Sequence, residues 1–258
     1  MRITGGSSGA RLEFQGEWIL KRCKDAKEQV DWFREAEKRP LLPGIYLPAV
    51  ELVDEQSYRI ERIAGIPGTF SQSLDTVFLL YEQVKLWSNQ VCSTIRFPKE
   101  YCSRLRNDHL PKEGARIVHE AIGFFESEFL NVGPKGSTFC HGDLTLENVI
   151  LMNDGSLGII DPNHKSGLYQ SFLLDFGKIL QSIHSDYHRK FDCCPGVDQT
   201  WMYPPLYSAL QRDGFLRNSL LSEISHLVRL RKYRPEEQRP LVDRILQDRM
   251  FEYRQLYL

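Results

Sequence analysis

Phe139-Cys140-His141-Gly142-Asp143-Leu144-Thr145-Leu146-Glu147-Asn148-Val149-Ile150-Leu151-Met152, continuing through Asn153-Asp154-Gly155-Ser156 into Leu157-Gly158-Ile159-Ile160-Asp161, is the stretch on which the reading of this chain turns. It opens as a polar loop, enters a β-branched strand, turns, and runs out along a second apolar strand that ends on a carboxylate. An Asp-Gly pair between two apolar runs is the strongest short signal for a β-hairpin. With Asp154 and Gly155 as a two-residue loop, Asn148 is expected to face Asp161 across the ladder, setting an amide oxygen beside a carboxylate. Hard oxygen ligands of this kind suit Mg²⁺, which takes one or two protein groups and leaves its other positions to water and phosphate oxygens. Asp143 stands at the entry to the hairpin, where a second carboxylate can face a substrate without being a ligand. Phosphoryl transfer asks for such parts: a group that orients an acceptor hydroxyl, and metal that neutralises charge on the phosphates.

His141-Gly142-Asp143 followed by Asn148, with Ile160-Asp161 further on, resembles the catalytic signature of the aminoglycoside phosphotransferase and choline kinase-like family, within the protein-kinase-like fold. The resemblance runs through most of the chain as a pattern and is specific over Cys140 to Asp161. It implies an α+β, bilobal protein-kinase-like architecture: a small β-rich N-lobe over 1–67 that binds nucleotide, and a larger, mostly helical C-lobe over 68–258 that carries the catalytic hairpin and the acceptor site. It implies that Asp143 orients or deprotonates the hydroxyl of a small metabolite, that Asn148 and Asp161 hold Mg²⁺, and that ATP or GTP is the donor. Gly142, where protein kinases carry Arg, points to the small-molecule branch. Pro162 and Asn163 stand where protein kinases place Phe-Gly, which argues against an activation segment.

The same resemblance assigns the supporting residues. Lys21, on Trp18-Ile19-Leu20-Lys21, is the expected phosphate-contacting lysine, and Glu35 in Arg34-Glu35-Ala36 is its expected helix partner, with Glu37 as the fallback. An opposite charge keeps such a lysine protonated beside a nucleotide. Glu61-Arg62-Ile63 resembles the hinge between lobes, whose main chain at Glu61 and Ile63 would pair with the adenine edge. Gly5-Gly6-Ser7-Ser8-Gly9 could cover phosphates with backbone N–H groups, although it lacks the protein-kinase glycine spacing. Asp175-Phe176-Gly177 spells a kinase metal motif, yet it lies beyond the hairpin in a helix-like stretch. Asp175 is therefore expected to support the backbone of the catalytic loop, and His141 to be a scaffold hydrogen-bonder.

Outside the motif, 1–67 reads as strands around one helix: Arg2 to Thr4, Arg11 to Phe14, Glu17 to Cys23, a helix over Lys24 to Arg39, then Ala49 to Val53 and Ser57 to Ile63. After Pro67-Gly68 the pattern changes to helices, with Leu74, Val77, Phe78 and Tyr81, and later Val118, Ala121, Ile122 and Phe125, at helical spacing. The stretch from Leu173 to the end also reads as helical, interrupted by a loop over Asp192 to Pro205.

Among the 258 residues, 33 Lys+Arg stand against 34 Asp+Glu, a formal charge of −1. That balance excludes a polybasic nucleic-acid binder. No apolar run approaches the ~20 residues that span a bilayer, and Met1 to Gly5 does not read as a signal peptide, so a cytoplasmic protein without membrane association is expected. The six cysteines show no C-x-x-C pair, and reduced thiols are the better expectation. His184 and His188 with Cys193 and Cys194 offer four zinc-type ligands, but adjacent cysteines rarely both reach one tetrahedral ion. For the acceptor, Trp201, Tyr203 and Tyr207 would suit a choline cage but read more simply as packing, while Asn163-His164-Lys165-Ser166 slightly favours a sugar-like hydroxyl. Two other readings stay open: a nucleotide-binding pseudokinase or regulatory module, and a protein Ser/Thr kinase, which Gly142 disfavours.

Overall fold

The structure, a computed structural model, describes residues 2–5, 10–89, 91–92, 97–109, 116–132, 137–163, 171–191 and 197–258. Its N-terminal part is an antiparallel five-stranded sheet of order β1-β2-β3-β6-β5, formed by β1 (Arg2–Gly5), β2 (Ala10–Gln15), β3 (Trp18–Arg22), β5 (Val50–Asp54) and β6 (Ser57–Glu61). The β2–β3 turn falls at Gly16 as the sequence suggests, and Lys21 pairs with Tyr58 in the centre of the sheet. Helix α1 (Ala26–Glu37) packs on this sheet through Ala26, Gln29, Val30, Phe33 and Ala36, a stripe at helical spacing. Of the Gly5 to Gly9 run, residues 6–9 lie outside the described residues.

A second sheet of order β4-β11-β10-β7 carries the hairpin. Its strands are β4 (Ile45–Tyr46), β7 (Gly65–Pro67), β10 (Val149–Met152) and β11 (Leu157–Ile159). Here the structure corrects the expected register. Val149 pairs with Ile159 and Leu151 with Leu157, and Met152 N–H donates to Ser156 O at 2.8 Å. The loop is therefore three residues, Asn153-Asp154-Gly155, with Gly155 at φ 84, the pattern of a turn closed by a left-handed glycine. Asn148 consequently faces Ile160, whose N–H reaches Asn148 O at 3.0 Å, and Asp161 lies beyond the ladder with a left-handed φ of 56.

The remainder is mostly helical: α2 (Leu74–Ser88), α3 (Phe97–His109), α4 (Arg116–Val132), α5 (Phe172–Ile183), α6 (Tyr187–Lys190), α7 (Tyr203–Arg212), α8 (Leu216–Tyr233) and α9 (Arg239–Tyr257). A further short pair, β8 (Val91–Cys92) and β9 (Ser137–Thr138), precedes the catalytic segment. Helix α3 was not legible in the sequence. Its buried Tyr101, Cys102 and Leu105 are too few among charged residues to make a stripe. The expected loop to Pro205 ends earlier, because Pro204 and Pro205 open α7, where the first turn needs no proline N–H. No helix among the described residues is long and apolar enough to cross a membrane.

Helices α5 and α8 cross at Gly177. A Cβ there would come within 2.6 Å of Ser222 Cβ and 2.7–2.8 Å of Ser222 and Glu223 backbone atoms. The Asp-Phe-Gly glycine is thus a helix-crossing glycine, and Phe176 beside it is fully buried, stacked on Tyr81 at 5.3 Å. Two residues before Gly177, Asp175 is completely buried and accepts the N–H groups of His141 and Gly142, both at 2.7 Å.

Two outcomes follow for stability. Gly177→Ala should destabilise the fold by about 1–3 kcal/mol in urea denaturation, the usual cost of overpacking a tight contact. Burial pushes the Asp175 carboxyl up to about 7, against the two N–H groups that favour its charged form. Between the ordinary 3.8 and about 7 the folded chain then holds a proton that the unfolded chain has released, so this group's contribution to stability falls as pH rises through that window. Denaturation midpoints of wild type minus Asp175→Asn should shrink from pH 4 to pH 7, and a margin that widens instead would refute the raised value.

Candidate active site

The catalytic segment begins on aromatic packing. Trp32 of α1 is fully buried, lies stacked on Phe139 at 5.4 Å, meets His141 edge-on at 5.2 Å, and donates its indole N–H to Cys140 O at 2.9 Å. Helix α1 thereby holds both the sheet above and the loop below. From Cys140 the chain turns through Gly142 at φ 78, a conformation that favours glycine. That residue gives the local reason for Gly where an Arg is conceivable.

His141 is buried and scaffolds the loop. Its Nε2 contacts Ile160 O at 3.0 Å and its Nδ1 receives the Asp143 N–H at 3.3 Å, an assignment that makes it the neutral Nε2–H tautomer. Burial drives its pKa down to about 4, with the neighbouring Asp143 opposing, so it stays neutral near pH 7. The Asn148 amide nitrogen donates to Asp143 O at 2.7 Å and, more weakly, to Asp143 Oδ2 at 3.4 Å. Its Oδ1 is left as the atom able to meet a cation.

Asp143 itself faces Lys178, whose ammonium lies 2.9 Å from Oδ1. Burial would raise the Asp143 pKa, but Lys178, with Arg229 behind it, brings it below the ordinary carboxylate value. Lys178 stands three residues after Asp175, one turn along the same face of α5, and also bonds Gln181 Oε1 at 3.0 Å. Sequence reading stopped at Asp175 and missed this lysine.

On the sheet side, Lys21 is buried and its ammonium pairs with the Asp161 carboxylate. The expected Lys21–Glu35 pair is not formed. Lys21 instead donates to Gln29 Oε1 at 3.2 Å, which also accepts from Tyr58 OH at 2.6 Å. Gln29 shares the buried stripe of α1 with Phe33 and Ala36, whereas Glu35 sits off that stripe and bonds Arg39 at 2.6 Å and Lys38 at 3.1 Å. A polar residue within the apolar stripe was the signal available.

At the end of β6, Glu61 donates its N–H to Ala49 O at 2.9 Å, and its carboxylate accepts from Tyr46 OH at 2.5 Å and Ala49 N–H at 3.0 Å. Its main-chain N–H is therefore committed within the sheet. The Ile63 side chain lies over Gly158, where a Cβ would come 2.5 Å from its terminal methyl, so hinge and hairpin touch directly.

Asp143, Asp161, Gln29 and Lys178 line one cleft of about 330 Å³, the size of a small-metabolite pocket. Its far end is formed by Glu147, Tyr187, Arg229, Tyr233 and Arg234. Asn148 Oδ1 and the Asp161 carboxylate are hard donors that fit Mg²⁺. Among the described residues no three His, Cys, Asp or Glu side chains form a cluster that could hold a metal, so a protein-only cage is absent there. Zinc gains no support: His184 bonds Glu223 at 2.9 Å and Glu252 at 3.2 Å, His188 contacts Ser182 Oγ at 3.1 Å, and Cys193 and Cys194 lie outside the described residues. The His184 ring stacks on Tyr203 at 3.7 Å, which makes Tyr203 a packing residue.

No family model matches this chain, and no curated protein matches it. Solved structures do. An aminoglycoside phosphotransferase of the 2″-Ib type bound to ADP aligns over 95% of this chain and 91% of its own, with TM-score 0.61 and 16% identity. A 2″-IIIa-type phosphotransferase with GDP and kanamycin aligns over 98% and 93%, with TM-score 0.60 and 14% identity. A putative fructosamine-3-kinase from Haemophilus somnus aligns over 96% and 90%, with TM-score 0.59 and 11% identity. At these identities the likeness is one of fold: the chain has the protein-kinase-like fold in the form that small-molecule phosphotransferases adopt.

Proposed function

We propose that this chain is an ATP- or GTP-dependent, Mg²⁺-dependent phosphotransferase acting on a hydroxyl of a small metabolite. The observation that carries the reading is the convergence of Asp143, Asn148, Asp161 and Lys21 around one cleft, in a fold shared with structures that hold ADP, GDP, kanamycin or ATP. Residues 1–67 would grip the nucleotide and 68–258 would supply chemistry and acceptor binding.

In this reading Asp143 accepts a hydrogen bond from the acceptor hydroxyl, aims its oxygen at the γ-phosphorus, and takes its proton as the new P–O bond forms and the bond to the leaving diphosphate breaks. Lys178 keeps Asp143 ionised until then. Asn148 and Asp161 would hold Mg²⁺, which when bound supplies positive charge to the phosphate oxygens. Lys21 would exchange its contact with Asp161 for the phosphates, with Gln29 keeping its ammonium in place. Glu61 and Ile63 would present main chain to the base, Ile63 with the N–H and Glu61 with the carbonyl, since the Glu61 N–H is used by Ala49. His141 and Asp175 hold the loop without entering the chemistry.

One observation favours the alternative of nucleotide binding without turnover: the helix partner of Lys21 is an uncharged amide, Gln29, in place of a carboxylate. Asp143→Asn decides between the two. If the chain is a phosphotransferase, acceptor-stimulated ADP release should fall about 10²- to 10⁴-fold in kcat, with nucleotide-induced thermal stabilisation retained. If no acceptor stimulates ADP release and Asp143→Asn changes nothing, the binding reading stands instead. Asp161→Asn should raise the Mg²⁺ concentration needed for half-maximal activity about tenfold or more, and chelation should abolish activity.

A further inference from the structure

The far end of the cleft is unlike a pocket for a cationic acceptor. Lys178, Arg229 and Arg234 line it together with Asp143. Lys178 is neutralised by Asp143 at 2.9 Å, but neither arginine has a carboxylate partner among the described residues. Other arginines of α8 do: Arg217 is tied to Glu128 at 2.9 Å and Arg231 to Asp243 at 2.6 Å. The contrast separates the arginines that brace the helical core from the two that face the cleft.

Both cleft arginines are placed without a carboxylate in direct contact among the described residues. An Arg229 guanidinium nitrogen lies 3.5 Å from His226 Nδ1, while His226 Nε2 contacts Leu174 O at 2.9 Å. His226 is fully buried and its pKa lies well below the ordinary value, first through burial and then through Lys178 and Arg229, so the arginine leans on a neutral ring. Arg234 lies over Phe191 at 5.7 Å, and its Nε is buried with no hydrogen-bond partner. Leaving a charged donor unmet in a buried place is costly unless something fills it.

Besides Asp143 the cleft is lined by the carboxylates of Glu147, Asp25 and Asp161, the last paired with Lys21. Glu147 accepts from Tyr187 OH at 2.5 Å, and burial raises its pKa above the ordinary value. Arg229 and Arg234 are thus cleft cations with no carboxylate in direct contact among the described residues. Such groups repel an ammonium and grip a carboxylate or phosphate through paired N–H donors.

Resting on the phosphotransferase reading, we propose that the acceptor is a small hydroxylated anion, its carboxylate or phosphate group held by Arg229 and Arg234 while its hydroxyl faces Asp143. This separates the chain from its structural neighbour crystallised with kanamycin, an amino sugar and hence a cation. The reaction that supplies the acceptor must leave an acidic group and a free hydroxyl on one small molecule.

The test is ADP release by the full chain with Mg²⁺ and ATP or GTP. The acceptors are glycerate and gluconate as carboxylates, glycerol 3-phosphate as a phosphate, glucose as a neutral compound, and glucosamine and choline as cations. Highest kcat/KM with an anion is expected, and the carboxylate and phosphate arms identify which acidic group is read. Arg229→Gln and Arg234→Gln should each raise the KM of that anion about 10- to 100-fold, with nucleotide KM within about threefold, and Arg229→Lys should recover part of the loss. Where a glutamine variant unfolds, the wild-type preference among the charge classes decides alone. Turnover that is greatest with glucosamine, choline or glucose overturns the proposal and leaves the phosphotransferase reading standing. Absence of turnover with every acceptor, unchanged by Asp143→Asn, overturns both.

Discussion

The buried Asp175 carboxylate, clamped on two consecutive main-chain N–H groups, is the interaction on which the site depends. A loop that must hold Asp143 at the mouth of a cleft has no regular ladder to satisfy its backbone, and buried N–H groups left unpaired cost about 1–3 kcal/mol each. Asp175 satisfies two at once. Both N–H groups meet the one carboxylate, and Gly142 turns the chain onward with a left-handed φ. The clamp also fixes where α5 lies against the loop. With Asp175 on His141 and Gly142, the residue one turn later on that face is Lys178, and its ammonium falls on Asp143. One carboxylate thus positions the proposed base, the cation that keeps it ionised, and the helix that carries both.

The second sheet transmits that position to the nucleotide side. Strand β7 follows directly from the hinge and pairs with β10, the strand that begins after Asn148. Trp32 ties α1 to Cys140, so the helix that carries Gln29 and the loop that carries Asp143 share one aromatic contact. Movement of the small sheet against the helical part would therefore be felt at Lys21 and Asp161 together.

The hairpin, the early strands, α1 and the supporting role of Asp175 were legible because each rests on local pattern: alternation, an Asp-Gly turn, helical spacing, a motif in order. What was misread involved choices that local pattern leaves degenerate. Asn153-Asp154-Gly155 closes a hairpin as a two- or a three-residue loop with nearly the same sequence, and only the cross-strand ladder selects one. A one-residue slip should send side chains to the opposite face. Its effect at Asp161 is limited because that residue lies past the ladder and takes a positive φ, with its carboxylate on Lys21. For α1, the sequence offered Glu35, with Glu37 as the fallback, as the partner of Lys21, whereas the face that meets the sheet brings Gln29 to it.

Lys178, Arg229 and Arg234 were invisible for a different reason. Lys178 comes from α5, Arg229 from α8 and Arg234 from just past its end, so neither composition nor spacing brings them together. A formal charge of −1 over the whole chain says nothing of two cleft arginines that have no carboxylate in direct contact among the described residues. The histidines nearby do not alter that field. Burial holds His141 to about 4 and His188 to about 3, and His226 lies lower than its ordinary value for the same reason, so all three are neutral near pH 7. Arginine does not titrate in proteins. The positive charge that Arg229 and Arg234 would present to an acceptor therefore does not depend on the titration of these histidines.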